Sequence, residues 1–342
     1  MKKIFTTIAL ILTLVGCGGK EEKKNVLYVY GWANTIPQSI YDAFEKETGI
    51  KVIEDIYSSN EEMFTKLKAG GDGYDIVMPS ADYVEIMMKE GMIEKLDKNN
   101  LPSYSNLDPL VLEKLHHFDP NNDYEVPYLI GATIIAVNKK YVPEFPRDYS
   151  IYEMPDLKGR MTLLDDMREV MTSALGMLGY PQTTTDEKAI QQATELVKKW
   201  KKNIAKFDAE SFGKGFASGD FWVVQGYPDN IFKELDEKER ANVEMIIPEK
   251  GGTAYVDSFV LLTSAPHKEA AYKFLEFTLK PEIAAQMADI LETPSVNIPA
   301  RELMTIEPLF KIEDLKNVQV LKDIHSTLDL QNKYWQEILI SE

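Results

Sequence analysis

Residues 25–78 read NVLYVYGWANTIPQSIYDAFEKETGIKVIEDIYSSNEEMFTKLKAGGDGYDIVM. The first seven, Asn25 to Gly31, are rich in Val, Leu and Tyr and predict a buried strand. Pro37 then stands near the start of a helical pattern in which Ile40 and Phe44 share a face, and Gly49 is placed to end it. A second strand begins over Ile50 to Ile53. Ser59 and Glu62 have capping-box spacing, with Met63, Phe64 and Leu67 on one helical face behind them. The run KAGGDG (68–73) breaks that helix, and Tyr74 to Met78 predicts another short buried strand. Strand, helix, strand, helix, strand within about fifty residues is the pattern of a parallel α/β sheet. Ligands of such sheets bind beyond the carboxyl ends of the strands, which here means the loops Trp32–Pro37 and Pro79–Tyr83.

Further along, Pro127 to Asn138 (PYLIGATIIAVN) is a long apolar run with a central Gly, compatible with one core strand or with a strand that leaves one lobe and enters another. A second such run, Thr253 to Thr263, is placed to return. Lys268 to Leu279 predicts a helix with Ala271, Phe274, Leu275 and Phe277 inward, and Pro281 opens the next. The chain shows no 20–50-residue repeat and no low-complexity tract.

Upstream, Lys2-Lys3, an apolar-plus-Thr segment from Ile4 to Val15 and then Gly16-Cys17 make a secretory signal over 1–16. The apolar stretch falls short of the roughly 20 residues that span a bilayer. Cys in place of an ordinary small residue resembles a bacterial lipoprotein signal, which would leave Cys17 lipidated at the new N-terminus. Cys17 is the only Cys in the chain, so intrachain disulfides and Cys-rich metal sites are excluded. Residues 17–24 then read as a lipidated flexible tether.

The chain has 342 residues, is 44% hydrophobic and 27% charged, and carries a formal net charge of −17. That length suits two domains or one large one. Loss of Lys2 and Lys3 with the signal makes the remainder more acidic still. Such a surface disfavours nucleic acid and attracts small cations.

Strong catalytic signatures are missing: the chain has no G-x-S-x-G, no H-E-x-x-H and no phosphate loop. Gly213, Gly215 and Gly219 miss the dinucleotide spacing, with Ser218 where the third Gly belongs. Asp119 to Asp123 opens like a calcium loop, but Tyr124 takes the position that needs Gly and Ile130 that of the bidentate Glu. What remains is carboxylates among aromatics. Asp166 and Glu169 lie three apart, on one face if helical; they are either an N-cap with a first-turn acid or a pair awaiting a cation. Tyr255 and Asp257 point the same way on a strand, and an Asp in so apolar a run needs a partner. Trp32 is either a core anchor or a ligand contact, while Trp200, Trp222 and Trp335 fit packing.

Taken in order, Tyr30-Gly-Trp32, Phe44 to Val52, Ser59 to Met63, Lys66 to Lys68, Tyr74 to Ser80, Asn106 to Pro109, Asp119 to Tyr124, Asp165 to Val170 and Val256 to Ser258 resemble the spermidine/putrescine-binding proteins of bacterial polyamine ABC transporters. The resemblance runs from about Asn25 to Arg301. It implies an α/β, two-lobed periplasmic-binding-protein fold of type II with the ligand cleft between lobes. On that pattern 25–130 and 256–298 form the first lobe, 131–255 and 299–342 the second, with hinges near Gly131 and Tyr255. It implies a monomeric receptor, without cofactor, metal or catalysis, that closes on a polyamine and docks on an inner-membrane permease. Trp32, Ser80, Asp166, Glu169 and Asp257 match the family's ligand contacts; Tyr227 and Tyr255 stand where family members carry Trp. Departures are Ala33, Asn34 and Thr35 after the Trp, Asp82 where an aromatic is usual, and Thr293 in place of Tyr. Asp82 is thereby a candidate replacement carboxylate. Competing expectations are another small cationic ligand, a polyamine-sensing surface lipoprotein, or a glycosidase acid pair.

Overall fold

The computed structural model describes residues 25–32, 35–71, 73–322 and 324–341. The signal segment, Cys17, the tether, Ala33 and Asn34 lie outside the described residues. The chain runs β1 (Val26–Trp32), α1 (Gln38–Thr48), β2 (Lys51–Tyr57), α2 (Asn60–Lys68), β3 (Ile76–Val77), α3 (Ala81–Lys89), α4 (Pro109–Leu115), β4 (Glu125–Ala132) and β5 (Ile134–Asn138). It continues through β6 (Met161–Leu163), α5 (Met167–Met177), α6 (Glu187–Lys201), β7 (Lys206–Phe207), α7 (Phe212–Ala217), β8 (Val223–Gly226), α8 (Pro228–Phe232), α9 (Glu237–Arg240) and β9 (Val243–Ile246). Last come β10 (Thr253–Leu261), α10 (Lys268–Thr278), α11 (Pro281–Leu291), β11 (Gln319–Val320) and α12 (Leu328–Ile340).

Two sheets result. In the first, β1 lies between β2 and β3, parallel to both, and β10 continues the sheet antiparallel to β3 and β4 and parallel to β11. The alternation that places Leu27 and Val29 in the core seats Phe44 and Ile40 of α1 against them. Gly49 closes α1 in the left-handed region (φ 71°) with its N–H on the Glu45 carbonyl. At α2, Ser59 accepts from the Glu62 N–H, but the Glu62 carboxylate accepts from Ser58 N–H, so the expected box forms one residue out of register on its return arm. The second sheet has the order β7-β6-β8-β5-β9. Its inner strands β5 and β8 are buried on both faces: Ile135, Val137 and Val223 face one core with Trp200 and α12, whereas Ile134, Ala136 and Val224 face another with Phe212 and Phe216.

The long apolar run does cross between sheets. β4 ends at Ala132, β5 begins at Ile134, and between them the Thr133 N–H donates to the Thr253 carbonyl at 2.9 Å. The return runs from the end of β9 to Thr253, ahead of the expected point at Tyr255. The block 299–342 is not wholly in the second unit. Phe310, Ile312, Leu315, Val318 and Val320 pack in the first core, because β11 pairs with Thr253 and Ala254 and Lys114 holds the Val318 carbonyl at 2.8 Å. Only α12, through Tyr334, Trp335 and Ile338, packs in the second. The chain therefore passes between the two units a third time, between Val320 and Leu328.

Candidate functional site

A cavity of about 490 Å³ lies between the two sheets, and Trp32, Ser80, Asp82, Asp166, Glu169, Tyr227, Tyr255 and Asp257 all line it. Its volume is in the range of small-molecule sites. The first-sheet side is built from strand ends. β1 delivers Trp32, whose ring packs 4.6 Å from that of Tyr57 and whose Nε1 is buried without a protein partner. β3 runs into Ser80, the residue before α3. Ser80 does not cap that helix with its side chain; its hydroxyl donates to Asp257 Oδ1 at 2.7 Å. Asn60 Nδ2 in turn donates to the Ser80 hydroxyl at 3.1 Å and fixes its direction.

Asp257 sits where β10 shifts register against β4, so that Leu129 opposes Asp257 and Pro127 opposes Ser258. Proline has no N–H to give the ladder, and a bulge re-aims the side chain beside it. Asp257 is 7% exposed. Burial drives its carboxyl up to about 7; the Ser80 hydrogen bond opposes that and the Asp82 charge adds to it.

The second-sheet side begins at the start of α5. Asp166 is the N-cap, accepting from the N–H groups of Arg168 and Glu169 at 2.8 and 3.1 Å. Glu169, three residues on, turns into the cavity wall, 2% exposed, and accepts from the Thr253 hydroxyl at 2.5 Å. Burial first, and then the Asp166 charge, push its carboxyl up to about 7, against the Thr253 hydrogen bond and the Arg168 charge. Asp166 caps the helix, as one reading of this motif has it, and both carboxylates line the cavity.

The aromatic walls come from β10 and the residue before α8. The rings of Tyr255 and Tyr227 meet edge to face at 5.8 Å. Tyr255 lies across β4 at Gly131, its cross-strand partner. A Cβ on Gly131 would stand 2.1 Å from Tyr255 Cζ, so only glycine leaves room for this ring.

Asp82 lines the cavity but is not a free carboxylate. Arg168 Nη2 holds its Oδ2 at 2.8 Å across the cleft and also donates to the Lys322 carbonyl at 3.2 Å. The residue expected to replace a lost contact is thus already paired with a side chain of this chain, because α3 and α5 start from opposite walls and aim at each other. Thr35, 8% exposed, turns its hydroxyl back onto the Trp32 carbonyl, and Thr293 is buried; neither lines the cavity.

The structure adds residues that the sequence reading passed over. Ser58, Ser59, Asn60 and Glu61 bring the start of α2 to the cavity, Asp229 and Asn230 the start of α8, and Arg168 is the single Lys or Arg on its lining among the described residues. The Asx and Ser residues at helix starts read first as caps, which hides a second use. Among the described residues, no group of three His, Cys, Asp or Glu is arranged to hold a metal ion, and no helix is long and apolar enough to cross a membrane.

Residues 39–305 match the family model described as bacterial extracellular solute-binding protein. The chain is 38% identical over 325 residues to the spermidine/putrescine-binding periplasmic protein of Escherichia coli K12, covering 93% of this chain and 92% of that one. It is 40% identical over 285 residues to the Salmonella typhimurium protein of the same name, covering 83% and 81%. Among solved structures, the Tp0655 lipoprotein of Treponema pallidum superimposes with a TM-score of 0.87 at 37% identity, over 92% of this chain and 99% of that one.

Proposed function

This chain belongs to the bacterial extracellular solute-binding proteins, a family of binding proteins rather than enzymes, and from that premise we propose that it captures a polyamine outside the cytoplasm and delivers it to an ABC permease. The observation that carries the reading is the cavity itself: buried Asp257 on one side, Asp166 and Glu169 on the other, and the rings of Trp32, Tyr227 and Tyr255 along it. A polyamine is a chain of methylenes with an ammonium at each end. Each ammonium gives up water on entry and needs a carboxylate or other acceptor in return. The methylenes need apolar walls, and aromatic faces attract the adjacent cations. The two relatives above are named for spermidine and putrescine, which fits.

The units built on the two sheets would act as lobes that close about the three crossings, at Thr133, ahead of Thr253 and after Val320. Anchoring through lipidated Cys17 fits the signal-like sequence and the lipoprotein name of the Treponema relative. Two or more acyl chains on one Cys give lasting attachment where one gives marginal binding.

Calorimetry on a soluble form beginning after Cys17, titrated with spermidine and with putrescine, tests the reading. One-to-one heat with either amine supports it; no heat with both overturns the ligand class while leaving the fold intact.

A further inference from the structure

We propose that the Asp82–Arg168 ion pair makes this cavity selective for a diamine over a triamine, with Arg168 as a specificity-determining residue that occupies the place of a third ammonium. The inference rests on the polyamine reading and deepens it.

Four carboxylates on the lining are buried or half-buried: Asp82, Asp166, Glu169 and Asp257. Glu61 and Asp229 also line the cavity, at positions open to solvent, although the burial of its surroundings raises the Asp229 carboxyl. Of the four, Asp82 is neutralised from within by Arg168 at 2.8 Å. Arg168 is held in place by that bond and by the Lys322 carbonyl, and a guanidinium does not lose its proton in a protein. The remaining three fall into two places. Asp257 stands with Ser80 on the first-sheet side. Asp166 and Glu169 share the start of α5, and their proximity helps raise the Glu169 carboxyl, so together they act as one cation-binding locus. Two loci match two ammonium groups. A third ammonium meets either the solvent-exposed mouth or the fixed guanidinium, which repels it. An aromatic at position 82 would leave no carboxylate for Arg168 to hold, so the pair is a property of this sequence.

The test is the ratio of dissociation constants for spermidine, a triamine, and putrescine, a diamine, by calorimetry on wild type, Arg168→Met, Asp82→Asn and the double variant. Wild type is expected to bind putrescine at least tenfold more tightly than spermidine. Arg168→Met uncovers the Asp82 carboxylate and moves the ratio at least tenfold toward spermidine. Asp82→Asn strands the guanidinium and weakens spermidine more than putrescine. The double variant, with neither carboxylate nor guanidinium, moves the ratio toward spermidine by less than Arg168→Met does. A merely structural pair would weaken both amines alike in every variant. Arg168→Met binding both amines at the wild-type ratio overturns the proposal. If Arg168→Met does not fold, Asp82→Asn decides, and equal loss for both amines overturns it. Absence of binding of either amine by wild type overturns the polyamine reading, and this proposal with it; an unchanged ratio overturns this proposal alone.

Discussion

On the proposed reading, the two carboxyls raised to about 7, Glu169 and Asp257, make ligand capture a proton exchange. Burial disfavours the charge of each and so favours its protonated form around neutral pH. An ammonium beside the carboxylate reverses that preference and drives the proton off. The ligand amines ionise near the lysine range, about 10, and keep their charge throughout the window. Affinity therefore rises with pH. For one group ionised in the complex and titrating near 7 when empty, the fraction able to bind changes roughly tenfold between pH 6 and pH 8. Two such groups give roughly a hundredfold, or about 2.7 kcal/mol by the same conversion. The slope flattens above pH 8, where both are already ionised. The sign is opposite for the stability of the empty protein: the native state holds protons that the unfolded state has lost above its ordinary carboxyl range, so stability falls as pH rises through the same window. Titration of one amine at pH 6, 7 and 8 in two buffers of different ionisation enthalpy reads both the affinity and the protons released. About one proton released per ligand at pH 7 is expected, and Asp257→Asn should remove about half of it. An affinity that is flat from pH 6 to 8, with heats independent of buffer, would refute the exchange.

Two further outcomes follow from the packing. Gly131→Ala places a methyl against Tyr255; overpacking of this kind costs about 1–3 kcal/mol, and displacement of the ring should lower amine affinity at least tenfold. Adding Tyr255→Ala should restore the melting temperature but not the affinity, and a Gly131→Ala protein that binds as wild type would contradict the assignment of Tyr255 to the wall. Glu125, fully buried and bonded on one oxygen by Ser258 at 2.6 Å, has its carboxyl driven up to about 8 by burial. Its folded-state value is above the unfolded one, so wild type loses stability relative to Glu125→Gln as pH rises from 4.5 to 8, on the order of 1 kcal/mol per pH unit; melting curves that keep a constant gap across that range would count against it.

The residues along a strand or a helix turn were legible from their own spacing. Period-2 alternation placed Tyr255 and Asp257 on one face, and the β-α-β rhythm placed Trp32 and Ser80 at the strand ends that face the cavity. What was not legible depends on separation. Nothing local tells Asp82 that Arg168 lies opposite, 86 positions away, and Arg168 read alone is a surface residue in the first turn of a helix. Asp229, beside Pro228 at the start of α8, and Asn60, beside the Ser59 cap, look like ordinary helix-start residues. The C-terminal stretch failed for a different reason. Its apolar positions are short and irregular, so that β11, of two residues, gives no periodicity, and only contact with Thr253 and Ala254 shows which core it completes.

These observations converge on how several carboxylates are kept together on one cavity lining. Carboxylates facing one another in low dielectric repel strongly unless each is neutralised. Here Asp82 is paired with Arg168, and burial favours the protonated forms of Glu169 and Asp257, whose carboxyls are raised to about 7. The two devices differ in permanence. The guanidinium stays whatever the pH, whereas the carboxyl protons can exchange. A site that managed all its charges with fixed cations would leave no carboxylate for an amine. On the proposed reading, the mixture sets how many ammonium groups are admitted, and selectivity rests in a residue pair that acts through the space it denies.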